Sequence, residues 1–250
     1  MKQVDKYRDF YRGRRLRWLF RFDVHYRCRR IKEVIQTLHI DPNNKRVLDV
    51  GFGSGHLLKS LPNSCMLYGA EISESAVEEA RRDPAFSRWR KAKFFLIHEN
   101  ILDELPRGPF DIILSSHTLE HVPDDKQLLQ SIYTRLKKGG FLFLFVPIEE
   151  PNYIPFHVRN YSMASFQNVV RNAGFDILFS EGSMHINGHI WKLITIPSRR
   201  QWAILKPVVD SIRLVTLSMI PYRLKRHLDS GLEKLGVGPR QGFLVATRSH

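Results

Sequence analysis

The run Val47-Leu48-Asp49-Val50-Gly51-Phe52-Gly53-Ser54-Gly55 constrains this chain more than any other stretch. An apolar strand over 46–50 breaks into glycines at alternate positions, and a helical pattern resumes through His56, Leu57, Leu58 and Leu61. A strand that turns through glycines into a helix leaves backbone N–H groups unpaired and lets a ligand approach the main chain closely. That geometry suits a nucleotide-like ligand. The spacing is G-x-G-x-G, whereas dinucleotide-binding turns read G-x-G-x-x-G. No Lys-Ser/Thr pair follows the last glycine directly, which argues against a phosphate-cradling loop. Asp49 would repel phosphate and fits a cationic, amine-bearing ligand better. The next apolar stretch, 65–70, ends in Glu71-Ile72-Ser73, and Ser73 or Ser75 is placed to cap a helix through Arg82. Glu71, at the end of that second strand, is positioned to accept hydrogen bonds from ribose hydroxyls.

The rest of the chain alternates in the same way. Strands are expected near 46–50, 65–70, 93–97, 110–114, 140–146 and 175–180, with a last one over 242–247. Helices are expected near 55–60, 74–82, 124–137 and 162–173, after a helical N-terminal region reaching about His39. Short apolar strands separated by helices imply a mainly parallel α/β sheet covered on both faces. Ligands of such sheets bind at the carboxyl ends of the strands, where every motif named here lies. This divides the chain into a basic aromatic segment (1–40), a ligand-binding core (41–183), a helical insertion (184–240) and a last core strand (241–250).

VLDVGFGSG (47–55), AEIS (70–73), ENILDELP (99–106), FDIILSSHTLEHVPD (110–124) and LKKGGFLFLFVP (136–147) stand in one order and spacing. Together with FHVRNYSMASFQNVVRNAGFDI (156–177), they resemble the class I S-adenosylmethionine (SAM)-dependent methyltransferases. The likeness is to the small-molecule and lipid branch that carries an L-E-H-V segment, the type 11-like enzymes, and it covers about 45–181. It implies a Rossmann-like, doubly wound, seven-stranded sheet and S-adenosyl-L-methionine as cofactor. Asp49, Gly51, Phe52, Gly53 and Gly55 would surround the methionine and ribose portion. Glu71 would hold the ribose hydroxyls, with Ile72 beside the adenine. Asn100 and Ile101 match the family's adenine contact after the third strand, where relatives often carry Asp. Asn keeps an acceptor oxygen; Glu99 replaces it if the register is off by one. Ser115 and Ser116, following the fourth strand, complete the cofactor side.

Methyl transfer from a sulfonium needs alignment first and a base only where the acceptor must lose a proton. His117 and His121 follow the fourth strand and are the candidate catalytic residues; the resemblance equally allows them to shape the site. His157, Arg159 and Tyr161 alternate after the fifth strand, so an extended loop would turn all three toward an anionic acceptor. The alternative is a loop anchor, with Tyr161 packed and Arg159 paired to an acid. His185 and His189 lack an acidic or Cys partner, and no metal is expected. The two cysteines, Cys28 and Cys65, form no disulfide framework or zinc site.

Lys and Arg total 39 against 25 Asp and Glu, a net charge of +14. The excess gathers in 1–32, among aromatic residues, and in 199–227. Such segments suit an anionic membrane surface or, less favourably, nucleic acid; alternatively they pack their aromatic side on the domain with arginines in water. Residues 203–220 are strongly apolar, with Lys206, Asp210 and Arg213 on one narrow stripe. Pro221 ends this segment, and the basic, amphipathic 222–226 follows. With no signal peptide and no apolar run long enough to span a bilayer, the expected setting is cytoplasmic, peripheral at the inner membrane face. The expected activity is methyl transfer to an amphiphilic or anionic acceptor: a small molecule, a lipid or a lipid-linked group. The alternatives are an RNA methyltransferase and a non-catalytic SAM-binding scaffold. Oligomeric state is open.

Overall fold

The computed structural model describes residues 22–98, 104–148, 157–185 and 220–249. Strand β1 (Arg46–Val50) sits between β2 (Met66–Glu71) and β4 (Phe110–Ser116), parallel to both. Strand β3 (Lys91–Leu96) extends the sheet beyond β2, and β5 (Leu136–Pro147) lies parallel to β4. On the far edge β7 (Gln241–Thr247) runs antiparallel between β5 and β6 (Asp176–Ser183). The order is β3-β2-β1-β4-β5-β7-β6. The sheet reverses direction of growth at β1 and β4, so their carboxyl ends open the crevice where α/β ligands sit.

The central strands are apolar throughout because helices cover both faces. Leu48, Val50, Ile113, Leu142 and Leu144 belong to one core layer, and Val47, Leu67, Ile112, Leu114, Phe143 and Phe145 to the other. Phe145 and Phe243 stack at 4.1 Å, which locks β5 to β7. Each such fully buried side chain contributes roughly 1.5–3 kcal/mol.

The helices are α1 (Phe22–Thr37), α2 (His56–Lys59), α3 (Glu74–Arg82), α4 (Asp125–Arg135), α5 (Met163–Asn172) and α6 (Tyr222–Lys234). Ser73 caps α3 through Ala76 N, Asp124 caps α4 through Gln127 N, and Ser162 with Ser165 forms a reciprocal cap on α5. Helix α4 stops at Arg135, two residues before its sequence-expected end. Leu136 is already extended and pairs with Phe110, so the strand takes over the hydrogen bonding and β5 runs to 12 residues.

The basic residues of α1 divide: Arg29 and Lys32 are exposed, as in the reading that leaves the arginines in water, and Arg27 and Arg30 depart from it. Arg27 and Arg30 are buried, not solvent-facing. Arg27 binds Asp23 and Gln241, and Arg30 makes a forked contact with Glu181 and a further bond to Glu33. These two cations therefore tie α1 to β6 and β7. Residues 1–21 of the N-terminal basic segment lie outside the described residues, as do Asn100, Ile101 and all of 203–220 except its last residue. No helix among the described residues is long and apolar enough to cross a membrane. Both cysteines are free thiols.

Candidate active site

Two acids and a glycine turn build one half of the site. Gly51 adopts φ +76°, and a Cβ there would collide with Thr118 Oγ1. Gly55 starts α2 at φ +70°, with Phe86 filling the space a side chain would need. Both positions lie in the left-handed region that favours glycine. Thr118 Oγ1 in turn donates to Val50 O at 3.1 Å, joining the end of β4 to the turn.

Glu71 closes this turn from β2. Its Oε2 accepts from Gly53 N at 2.9 Å, and its Oε1 accepts from Ile72 N and Ser73 N at 2.8 and 3.1 Å. Burial drives the Glu71 carboxyl above its ordinary value, and the three N–H groups only partly offset that. Asp49 is 1% exposed, and its Oδ1 has no hydrogen-bond partner. Burial first, then the charge of Glu71, pushes Asp49 up to about 8. A buried acid with an orphaned oxygen is satisfied by a cationic donor. SAM carries an ammonium and a sulfonium, so the residues present fit it. Asp49 and the 51–55 backbone would hold its methionine end, and Glu71 its ribose.

Phe52 does not offer its ring to this space. It is 6% exposed and packs on Phe94 at 5.3 Å and over Gly69, so only its backbone lines the turn. Ile72 is half-buried against the core. Ser115, the β4 partner of Val50, is buried with an unpartnered Oγ, while Ser116 is half-buried.

The other half lies on the segment after β4. His117 takes φ +56°, uncommon for a residue with a side chain, and its N–H donates to Phe145 O at 2.9 Å. Its Nδ1 lies 3.3 Å from Glu120 Oε1, within ion-pair range but off line for a hydrogen bond. Neither Glu120 oxygen has a hydrogen-bond partner among the described residues, although the side chain is fully buried. Burial works to raise that carboxyl, yet the imidazoles of His117 and His121 hold it below its usual value. On its other side His117 Nε2 stands 3.4 Å from Gln241 Oε1.

His121 and His157 meet edge to face at 4.8 Å between ring centroids. The donor atoms of Glu120, His121 and His157 all lie within 4.8 Å of one another, a set that can share a proton or accept a cation. Sequence reasoning placed His157 with Arg159 and Tyr161, but the fold separates them. Arg159 donates to the carbonyls of Leu119, Val122 and Pro123 at 2.8, 2.6 and 2.6 Å and pairs with Asp125 at 3.4 Å. Tyr161 is 4% exposed and donates to Asp125 Oδ2 at 2.6 Å, which together with burial drives its phenol upward. These contacts are those of the loop-anchor alternative, with Tyr161 packed and Arg159 paired to an acid, and His157 alone of the trio joins the histidine cluster. Glu120 was legible only as part of L-E-H; its burial was not. His185 is buried with Nδ1 2.6 Å from Val237 O, and His189 lies outside the described residues.

A seven-stranded sheet of this order, with a glycine turn between Asp49 of β1 and Glu71 at the end of β2, is a Rossmann-like methyltransferase fold. Residues 22–179 match the family model described as a methyltransferase domain, and the chain belongs to that family. One curated relative is a ubiquinone biosynthesis O-methyltransferase of Neisseria meningitidis serogroup C, 30% identical over 107 residues. That match covers 42% of this chain and 45% of the relative, so the chain spans about half the length of the curated relatives it matches. Among solved structures, a SAM-dependent methyltransferase from Thermotoga maritima superposes with TM-score 0.59 at 18% identity, over 98% of this chain and 99% of that one. A phosphoethanolamine N-methyltransferase of Haemonchus contortus, solved with SAM, matches with TM-score 0.51 at 17% identity, over 84% of this chain and 50% of that one.

Proposed function

We propose that the chain methylates an oxygen of an amphiphilic or anionic acceptor, with His121 as the proton acceptor. The observation that carries this reading is the buried Glu120 carboxylate beneath two imidazoles, at the end of β4 and linked to the glycine turn through Thr118. The cofactor supplies an electrophilic methyl group. Asp49, Glu71 and the turn backbone hold it in place, and alignment supplies much of the rate. A hydroxyl or phenol must lose its proton as the methyl arrives. His121 Nε2 stands 4.0 Å from Glu120 Oε1, so the carboxylate favours the imidazolium that forms. His157, against the His121 ring, bounds the acceptor side.

The amphiphilic class is supported by the net charge of +14, the apolar and basic insertion before β7, and the ring-bearing, oxygen-methylated class named by the Neisseria relative. The test uses purified protein, SAM labelled on the methyl group, and a total cell extract. Label in an organic-soluble product that is base-stable as an ether supports the reading. Label removed by nuclease moves the basic segments onto RNA. Label on nitrogen removes the need for His121 as a base.

A further inference from the structure

Helix α6 is docked the wrong way round for a core helix. Its single fully buried residue is Asp229, while Leu224, Leu228 and Leu235 at its C-cap are 48%, 40% and 80% exposed. The inward contacts are polar. Tyr222 OH donates to Glu33 at 2.6 Å, Arg226 donates to Tyr26 OH at 3.0 Å and to both oxygens of Glu181, and Asp229 accepts from Met184 N at 2.8 Å. At about 100° per residue, Tyr222, Arg226 and Asp229 fall on one side of the helix. The three leucines fall within a sector of about 40° on the other side.

A helix held by hydrogen bonds through its polar face has its rotation fixed, so the leucine stripe cannot turn inward. Arg223, His227 and Lys234 are exposed and run alongside the stripe. The acidic residues of the helix lie elsewhere: Asp229 is buried against α1, and Glu233 is on the inward half. The outward sector is therefore apolar with a cationic border and no acid. A leucine stripe flanked along one side by Arg223 and Lys234 matches the boundary between acyl chains and anionic headgroups. A protein partner would need an acidic rim, and water alone leaves the three leucines without cover.

We infer that the outer face of α6 seats the protein on an anionic lipid bilayer, with Leu224, Leu228 and Leu235 entering the headgroup–acyl boundary. This deepens the amphiphilic-acceptor reading by naming where the acceptor is met. Because binding is measured without turnover, either can fail alone.

The test is co-sedimentation of the full chain with vesicles of phosphatidylcholine, with and without phosphatidylglycerol. Wild-type protein should pellet with the phosphatidylglycerol vesicles and release on raising salt. Leu224→Ser/Leu228→Ser/Leu235→Ser should lower the partition coefficient about tenfold or more, since each leucine removed from lipid loses apolar burial. Its thermal transition should be largely kept, because none of the three leucines is among the buried core residues. Arg223→Glu/Lys234→Glu should remove the preference for anionic vesicles, and it carries the test should the serine variant fail to fold. Equal binding to both vesicle types, or unchanged binding by both variants, would overturn the inference. So would a concentration-dependent dimer abolished by the serine variant, which would assign the stripe to a second copy of the chain.

Discussion

The two halves of the site are built by different means. The cofactor half is backbone and two acids: a glycine turn whose φ angles exclude side chains, and Glu71 accepting three N–H groups within 20 residues of the turn. The acceptor half is side chains on side chains: His117, Glu120 and His121 from one turn, His157 from another, and Gln241 from the last strand. The first depends on local conformation, so a single substitution should remove binding without touching the core. The second depends on long-range assembly, so its members should act through one another and couple strongly.

The largest expected effect tests the acceptor half. His121→Asn should lower kcat by about 10²–10⁴-fold, with SAM affinity by calorimetry unchanged. An equal loss in affinity would merge the two halves into one. Glu71→Ala comes next: SAM affinity should fall about 10- to 100-fold as charge-assisted bonds are lost, with a smaller fall in melting temperature as three N–H groups lose their acceptor.

Asp49 distinguishes the halves by pH. Its folded value of about 8 lies above its ordinary 3.8, so the native state keeps a proton that the unfolded chain releases. Ligand-free stability should therefore fall as pH rises between those values. Affinity for the cationic cofactor should rise over the same window as Asp49 ionises. Asp49→Asn should flatten both trends; a pH-independent wild type would show that Asp49 is not the group felt by the ligand.

The smallest effect belongs to the anchors. Tyr161→Phe removes one hydrogen bond to Asp125 and should cost about 0.5–1.5 kcal/mol of stability in denaturant unfolding. Its KM for the acceptor should be unchanged. A large KM effect would return Tyr161 to the acceptor site.

Strand positions were legible because each central strand is a short apolar run bounded by glycine or polar turns. All seven were expected within a few residues of where they stand. The exception at Leu136 shows the limit: Lys137-Lys138 after a helical pattern reads as helix, and pairing with Phe110 made it strand. The geometry of the turn and its acids was legible where spacing is local, at 49–55 and 70–73. For His157, Arg159 and Tyr161 the sequence left two readings open, because alternation gives a shared direction only if the loop stays extended. Here carbonyls at the end of the 117–123 turn capture Arg159, and Asp125 captures Tyr161.

By itself the sequence determined the α/β alternation, the glycine turn and the acids that flank it, since these rest on backbone conformation and on neighbours close along the chain. Only the tertiary structure decided which polar residues are buried together. Whether His157 meets His121, whether Arg27 and Arg30 face inward, and which side of α6 meets solvent all depend on residues tens to hundreds of positions apart. Such partnerships follow from the packing of whole elements, where burying a charge demands a partner that local sequence cannot specify.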